Sequence, residues 1–131
     1  MTQPVLMVFA LRGNNRKAIP FAAMRLGIRL KPVAPAQYGQ TLEALLDAPA
    51  LKDAAEGGFE EEMLVMANFT PALAGRFLNE LKRLGAAPIA RKAVLTPTNR
   101  GWNARQLYEE LGREHEAIKN TARAHEDPPA Q

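Results

Sequence analysis

The stretch Leu64-Val65-Met66-Ala67-Asn68, followed by a helix-like run ending at Arg83-Leu84-Gly85, repeats a pattern met 58 residues earlier. There, Leu6-Met7-Val8-Phe9-Ala10 leads into a run ending at Arg25-Leu26-Gly27. Residues 5–11 and 63–69 are apolar runs of strand length, interrupted only by Asn68 near the end of the second and without polar alternation. That pattern suits strands covered on both faces or central in a sheet. The stretch 28–33 alternates Ile28 and Leu30 with Arg29 and Lys31 and contains Pro32. Proline has no N–H to give a ladder, which places this strand at an edge. Its counterpart, 88–95, is similarly mixed. The chain therefore reads as a doubled unit with two central and two peripheral strands.

Helices separate the strands. Thr70 is a good N-cap with Pro71 at the first helical position, and Leu73, Phe77, Leu81 and Leu84 recur at helical spacing until Gly85. In the first copy Ile19, Ala22, Ala23 and Leu26 form an apolar stripe, but Pro20 sits in it, so that helix kinks or starts late. Residues 39–47, ended by Pro49, read as a short amphipathic helix, and 103 to about 119 as a longer one. Each copy is β-α-β-α, at about 5–47 and 63–118. Together they predict a single α/β domain over 1–121, a two-layer α+β fold. Its sheet is expected to be ferredoxin-like, in the order 4-1-3-2, with an extra helix after each unit. An open parallel sheet is the alternative. The two differ in where the loops lie: in the first, the 96–102 loop shares an end with Asn68-Phe69-Thr70 and lies opposite 12–17, whereas in a parallel sheet all three share one end. Residues 50–62 read as a solvated connector and 122–131 as a flexible tail.

Composition narrows the chemistry. The 131 residues include neither cysteine nor serine, which excludes disulfides, thiolate metal sites, and cysteine and serine nucleophiles. No apolar run approaches the roughly 20 residues that span a bilayer. Met1-Thr2-Gln3-Pro4 places no basic segment ahead of the first apolar run, so the expected location is the cytoplasm, without a membrane. The net charge of +3 conceals alternating blocks: 1–40 is basic, 41–62 acidic, 63–106 basic and the remainder acidic. Such blocks are expected to pair within the fold or between protomers. The bases are not interleaved with aromatics, so nucleic acid is not the expected partner.

Residues 92–103 leave a strand, enter a helix and concentrate two hydroxyls, two amides, a guanidinium and the sole tryptophan. This composition suits an anion or a carboxylate. Much of it also has a folding role. Asn103 with Gln106 forms a capping box, and Trp102 with Leu107 occupies the positions of a hydrophobic staple. Thr96, Pro97, Asn99 and Gly101 are turn residues. The candidate ligand-binding residues are Thr96, Thr98, Asn99 and Arg100, with Lys92 and Thr70 as neighbours, and Arg100 is the one that folding explains least.

Arg12-Gly13-Asn14-Asn15-Arg16-Lys17 also joins a strand to a helix and offers three cations. It lacks the spacing of a phosphate-binding P-loop and the three glycines of a dinucleotide fingerprint, so a basic turn is the simpler reading. The acidic clusters 60–62 and 109–116 read as solvated. His115 and His125 have no ligand partner at metal spacing, so neither a metal nor another cofactor is expected. Tyr38 and Tyr108 read as core or rim packing.

The Lys92-Ala93-Val94 strand, the Thr96-Pro97-Thr98-Asn99 turn and Trp102 before the last helix carry a resemblance. Over about residues 62–116 the chain resembles a bacterial family of small domains of unknown function. The resemblance implies that the 96–102 loop belongs to that family's pattern, and it implies no reaction, ligand or catalytic residue. The first copy has Pro35-Ala36-Gln37-Tyr38-Gly39 instead, which argues against a symmetric pair of sites. The expectation is a cytoplasmic, non-enzymatic binding or regulatory module recognising a small anionic ligand or a protein. A homodimeric assembly component, or an enzyme acting on a small anionic substrate, are the alternatives. The enzyme reading requires an acid or base close to Arg100.

Overall fold

A computed structural model describes residues 3–49 and 58–126, with side chains through 116. Most of the expected connector, the last five residues of the expected tail and the His125 side chain lie outside this description. In chain order the elements are β1 (Val5–Phe9), α1 (Asn15–Arg25), β2 (Arg29–Val33), a 3-10 turn at Pro35–Gln37, α2 (Leu42–Asp47), β3 (Met63–Ala67), α3 (Pro71–Arg83), β4 (Arg91–Val94) and α4 (Ala104–Glu126).

The four strands form one mixed sheet in the order β2-β1-β3-β4. β1 pairs in parallel with β2, and β3 with β4; the two pairs meet through antiparallel β1 and β3, with Val5 opposite Ala67 and Phe9 opposite Met63. β1 and β3 are central and β2 and β4 lie at the edges, as their composition predicts. The order corrects the ferredoxin-like expectation of 4-1-3-2, and the antiparallel centre excludes the open parallel sheet. Each helical crossover returns the chain to the strand beside the one it left, the shortest closure open to a β-α-β unit. No strand of one unit is inserted into the other.

Every residue of β1 and β3 is buried. Alternation divides them between two cores. Val5, Met7, Phe9, Met63, Val65 and Ala67 face Leu42 and Leu45 of α2 and Ala104 and Leu107 of α4. Leu6, Val8, Leu64 and Met66 face Ile19, Ala22 and Ala23 of α1 and Phe77 and Leu81 of α3. The sheet is thus covered on both faces, in three layers rather than the expected two, because neither face of the central strands carries a polar residue. The second cover also buries Lys31, which shares the α2 and α4 side with Val33 and is only 4% exposed. Burial lowers its ammonium pKa, and Arg29 nearby adds to that fall.

The local signals account for the helix starts. The Thr70 hydroxyl accepts from the Leu73 N–H at 3.1 Å, with Pro71 opening α3. Thr41 caps α2 in the same way through the Ala44 N–H, so that helix begins later than the expected residue 39. Asn103 accepts from the Gln106 N–H at 2.8 Å. α1 runs through Pro20 as one helix. α4 continues to Glu126, so part of the expected tail is helical.

Ala10 and Asn68, the residues after β1 and β3, have φ values of 58° and 61°. Gly27 and Gly85, after α1 and α3, both have φ 71°. Each pair is 58 residues apart. A left-handed alanine is a strained residue, normally costing about 1 kcal/mol or more. Because β1 and β3 run in opposite directions, the 96–102 loop lies at the end of Asn68 and Thr70, and the Arg12–Lys17 turn lies at the other, as expected of an antiparallel centre.

Candidate functional site

The 96–102 loop folds around Asn99. The Asn99 side chain accepts from the Thr96 N–H at 2.9 Å and donates to the Val94 carbonyl at 3.1 Å, while its N–H donates to the Thr96 hydroxyl at 3.1 Å. Asn99 is 8% exposed, so these bonds are partly shielded from water. Two backbone bonds tighten the turn, from Arg100 N–H to the Thr96 carbonyl and from Trp102 N–H to the Asn99 carbonyl.

The loop is also fastened to the first half of the chain. Leu42 N–H donates to the Trp102 carbonyl at 2.8 Å and Glu43 N–H to the Arg100 carbonyl at 3.0 Å. These are orphan donors at the start of α2, so the loop's carbonyls satisfy a helix end. The Arg100 Nε lies 3.5 Å from a Glu43 carboxylate oxygen, with both side chains largely in water. Trp102 packs against the core that holds Leu107, where a hydrophobic staple would place it.

Of the six predicted residues, Thr96, Asn99 and Arg100 are brought together. Thr98 is exposed, and its hydroxyl has no partner among the described residues. Thr70 shares this end of the sheet, but its hydroxyl is engaged in capping α3. Lys92 does not join them: it pairs in register with Leu64 near the far end of β4, and its ammonium turns back to the Ile89 carbonyl. The partner that sequence reading missed is Glu43, for which linear spacing offers no signal.

At the opposite end, the Arg12–Lys17 turn is built into the fold. Asn15 is fully buried and bonds both to the backbone of Ala87 and to the Glu62 carboxylate, which also accepts from the Arg12 N–H. The Arg12 guanidinium donates to the Phe59 carbonyl, and Arg16 Nε to the Leu11 carbonyl at 3.1 Å. Residues 58–62, expected to be solvated, are therefore tied down. Phe59 is buried between Tyr38 and Tyr108, each stacked on it at 4.0 Å, and Arg91 lies 4.0 Å over the Tyr108 ring while pairing with Glu61. Arg91–Glu61 and Arg100–Glu43 both join a basic block to an acidic one, as the charge alternation predicts.

The Tyr38 phenol is buried, and burial pushes its pKa up, with the Phe59 backbone and the Arg105 and Arg12 charges pulling the other way. The Phe59 backbone group beside it does not meet hydrogen-bonding geometry, so the hydroxyl has no partner among the described residues. No group of three or more metal-ligating side chains occurs among the described residues, and none of their helices is long and apolar enough to cross a membrane. Neither the curated proteins nor the solved structures contain a match to this chain. Residues 62–118, which run from the start of β3 into α4 and include the 96–102 loop, match the family described as domain of unknown function (DUF3783).

Proposed function

We propose that the protein is a non-enzymatic binding or regulatory module built from a duplicated β-α-β-α unit, with the 96–102 loop presenting a cation to an anionic ligand. The matched left-handed positions Ala10 and Asn68, and Gly27 and Gly85, support the duplication. The observation that carries the binding reading is the contrast between Arg100 and the rest of its loop. Thr96 and Asn99 are committed to bonds that hold the loop rigid, whereas the Arg100 guanidinium is 47% exposed and its only ion pair among the described residues is the 3.5 Å contact with Glu43. Exposed pairs of this kind contribute between zero and about 1 kcal/mol, so an anion can compete for the guanidinium. Thr98 adds, on the same loop, a hydroxyl without a partner among the described residues.

Glu43 is the carboxylate near Arg100 that the enzyme reading requires. It is 61% exposed, however, and paired with Arg100. A general acid or base is normally tuned by burial, which this surface does not supply.

Trp102, the sole tryptophan, is a built-in reporter two residues from Arg100. Its fluorescence should change saturably when a panel of carboxylates, sulfate and phosphate esters is titrated. At least one anion should lose that response in Arg100→Ala and bind more tightly in Glu43→Gln. A panel without any saturable response, or an Arg100→Ala protein that responds as the unaltered chain does, removes this reading.

A second reading rests on Val94, 44% exposed on β4, whose outer edge is unpaired within the sheet. Two copies could add their β4 edges to one another as a homodimer. Sedimentation at several concentrations should then show a dimer that Val94→Lys dissociates, and a monomer throughout would reject it.

A further inference from the structure

A cleft of about 810 Å³ opens at the carboxyl ends of β1 and β2, on the side of the sheet end away from Arg100. Its size falls within the range of about 300–1,000 Å³ typical of small-molecule sites. The position is also a favoured one, since ligands in α/β sheets gather outside the carboxyl ends of parallel strands, as β1 and β2 are here.

The lining is divided by chemistry. Val8, Leu30 and Pro32 give the cleft an apolar wall, and Arg12, Arg16 and Glu60 stand on its rim. Leu30 is half-buried and Pro32 exposed, an unfavourable exposure that an apolar ligand would relieve. Arg12 is occupied by the Phe59 carbonyl, whereas Arg16 commits only its Nε among the described residues, leaving the terminal nitrogens of its guanidinium without a partner there. The two cations against one carboxylate leave a single net positive charge, which suits a monoanion better than a dianion.

A buried donor completes the site. Tyr38 lines the same cleft and is 2% exposed, and its hydroxyl is the one fully buried side-chain polar atom among the described residues without a hydrogen-bond partner. The hydroxyl lies against Gly58, also in the lining, where an added Cβ would meet it at 2.7 Å. Leaving such a group unpaired ordinarily costs about 1–3 kcal/mol, and the usual reasons are a missing water or a missing ligand.

We propose that this cleft binds a small monocarboxylate with an apolar body, the body lying along Val8, Leu30 and Pro32 and the carboxylate meeting Arg16 and the Tyr38 hydroxyl. The chemistry follows from the lining: a guanidinium and a phenol donate to a carboxylate, and the prolines and aliphatic residues exclude water from the chain behind it. This site is separate from the Arg100 loop, so the two stand or fall independently.

The test is a titration of the full chain, followed through backbone amide NMR shifts. The probes are octanoate, octan-1-ol with the same body and no charge, and inorganic phosphate with charge and no body. Octanoate should shift the amides of 12–16 and 58–60 saturably, at least about tenfold more tightly than octan-1-ol, while phosphate leaves them unsaturated. Arg16→Gln should weaken octanoate about tenfold and Tyr38→Phe several-fold. Tyr38→Phe removes a hydroxyl without a partner, so its thermal midpoint should not fall, which separates lost binding from lost folding. Equal binding of octan-1-ol, octanoate affinity unchanged by both substitutions, or no saturable shift at these amides would each overturn the assignment.

Discussion

Asn15 and Ala87 exchange two hydrogen bonds across the fold: the Asn15 amide donates to the Ala87 carbonyl at 3.1 Å and accepts from the Ala87 N–H at 2.9 Å. A side chain at the start of α1 thereby stands in for a strand partner of the segment entering β4, and ties the two halves together. Its remaining contact is the Glu62 carboxylate, at 3.0 and 3.2 Å.

Asn15→Ala should therefore destabilise the protein by about 2–3 kcal/mol, because it removes the partners of the Ala87 N–H and carbonyl and one of the donors to the Glu62 carboxylate. Asn15→Asp should cost more, since a carboxylate cannot donate to the Ala87 carbonyl and would face Glu62 with like charge. Urea denaturation gives both values, provided the slope with denaturant is unchanged. A loss below about 0.5 kcal/mol for Asn15→Ala would show that this bridge does not hold the halves together.

Asn99→Ala should cost about 1–3 kcal/mol, for it removes the acceptor of the Thr96 N–H and the donor to the Val94 carbonyl from a partly shielded turn. Thr98→Ala, next to it but exposed, should stay within about 0.5 kcal/mol. Comparing the two by thermal and urea unfolding separates the part of the loop that folds the protein from the part available to a ligand. Equal effects would mean that the Asn99 bonds are not what shapes the turn.

Stability on the acid side should depend on Glu80. The hydrogen bond from Arg83, at 2.6 Å, is the largest cause holding its carboxyl below the usual value of 4.5, and the Arg83 and Arg25 charges add to it. A carboxyl whose pKa is lowered by folding contributes stability above its unfolded value and loses that contribution as pH falls through the folded one. The unaltered protein should thus exceed Glu80→Gln in stability near neutrality, and the difference should shrink as pH falls from about 4.5 downward. Unfolding midpoints of both proteins over a pH series measure this, and a gap that does not change with pH would assign the effect of Glu80 to packing.

The parts of the fold carried by neighbours in the chain were legible before any coordinates. Thr70 and Pro71 start α3, Asn103 starts α4 and Pro32 marks an edge, because capping, helical spacing and a missing N–H are decided within a few residues. Pro20 pointed to a kink or a late start; the helix starts early, at Asn15, and runs through Pro20, since a proline forfeits only one bond of a helix that packing on the sheet otherwise holds. In the 96–102 segment the turn chemistry could be read, but Glu43, which pairs with Arg100, could not. Tyr38 read as core or rim packing and does pack in the core on Phe59, but only its surroundings reveal a buried hydroxyl without a partner among the described residues.

By itself, the sequence determined that two all-apolar strands must be central and two mixed ones peripheral, because every face of Leu64-Val65-Met66 and Leu6-Met7-Val8 needs cover from water. Tertiary structure alone decided that β2 lies beside β1 and β4 beside β3, that helices cover both faces, and which charges meet. Those outcomes depend on crossover geometry and on pairs such as Asn15 with Ala87, whose energies arise only once distant segments are brought within hydrogen-bonding distance.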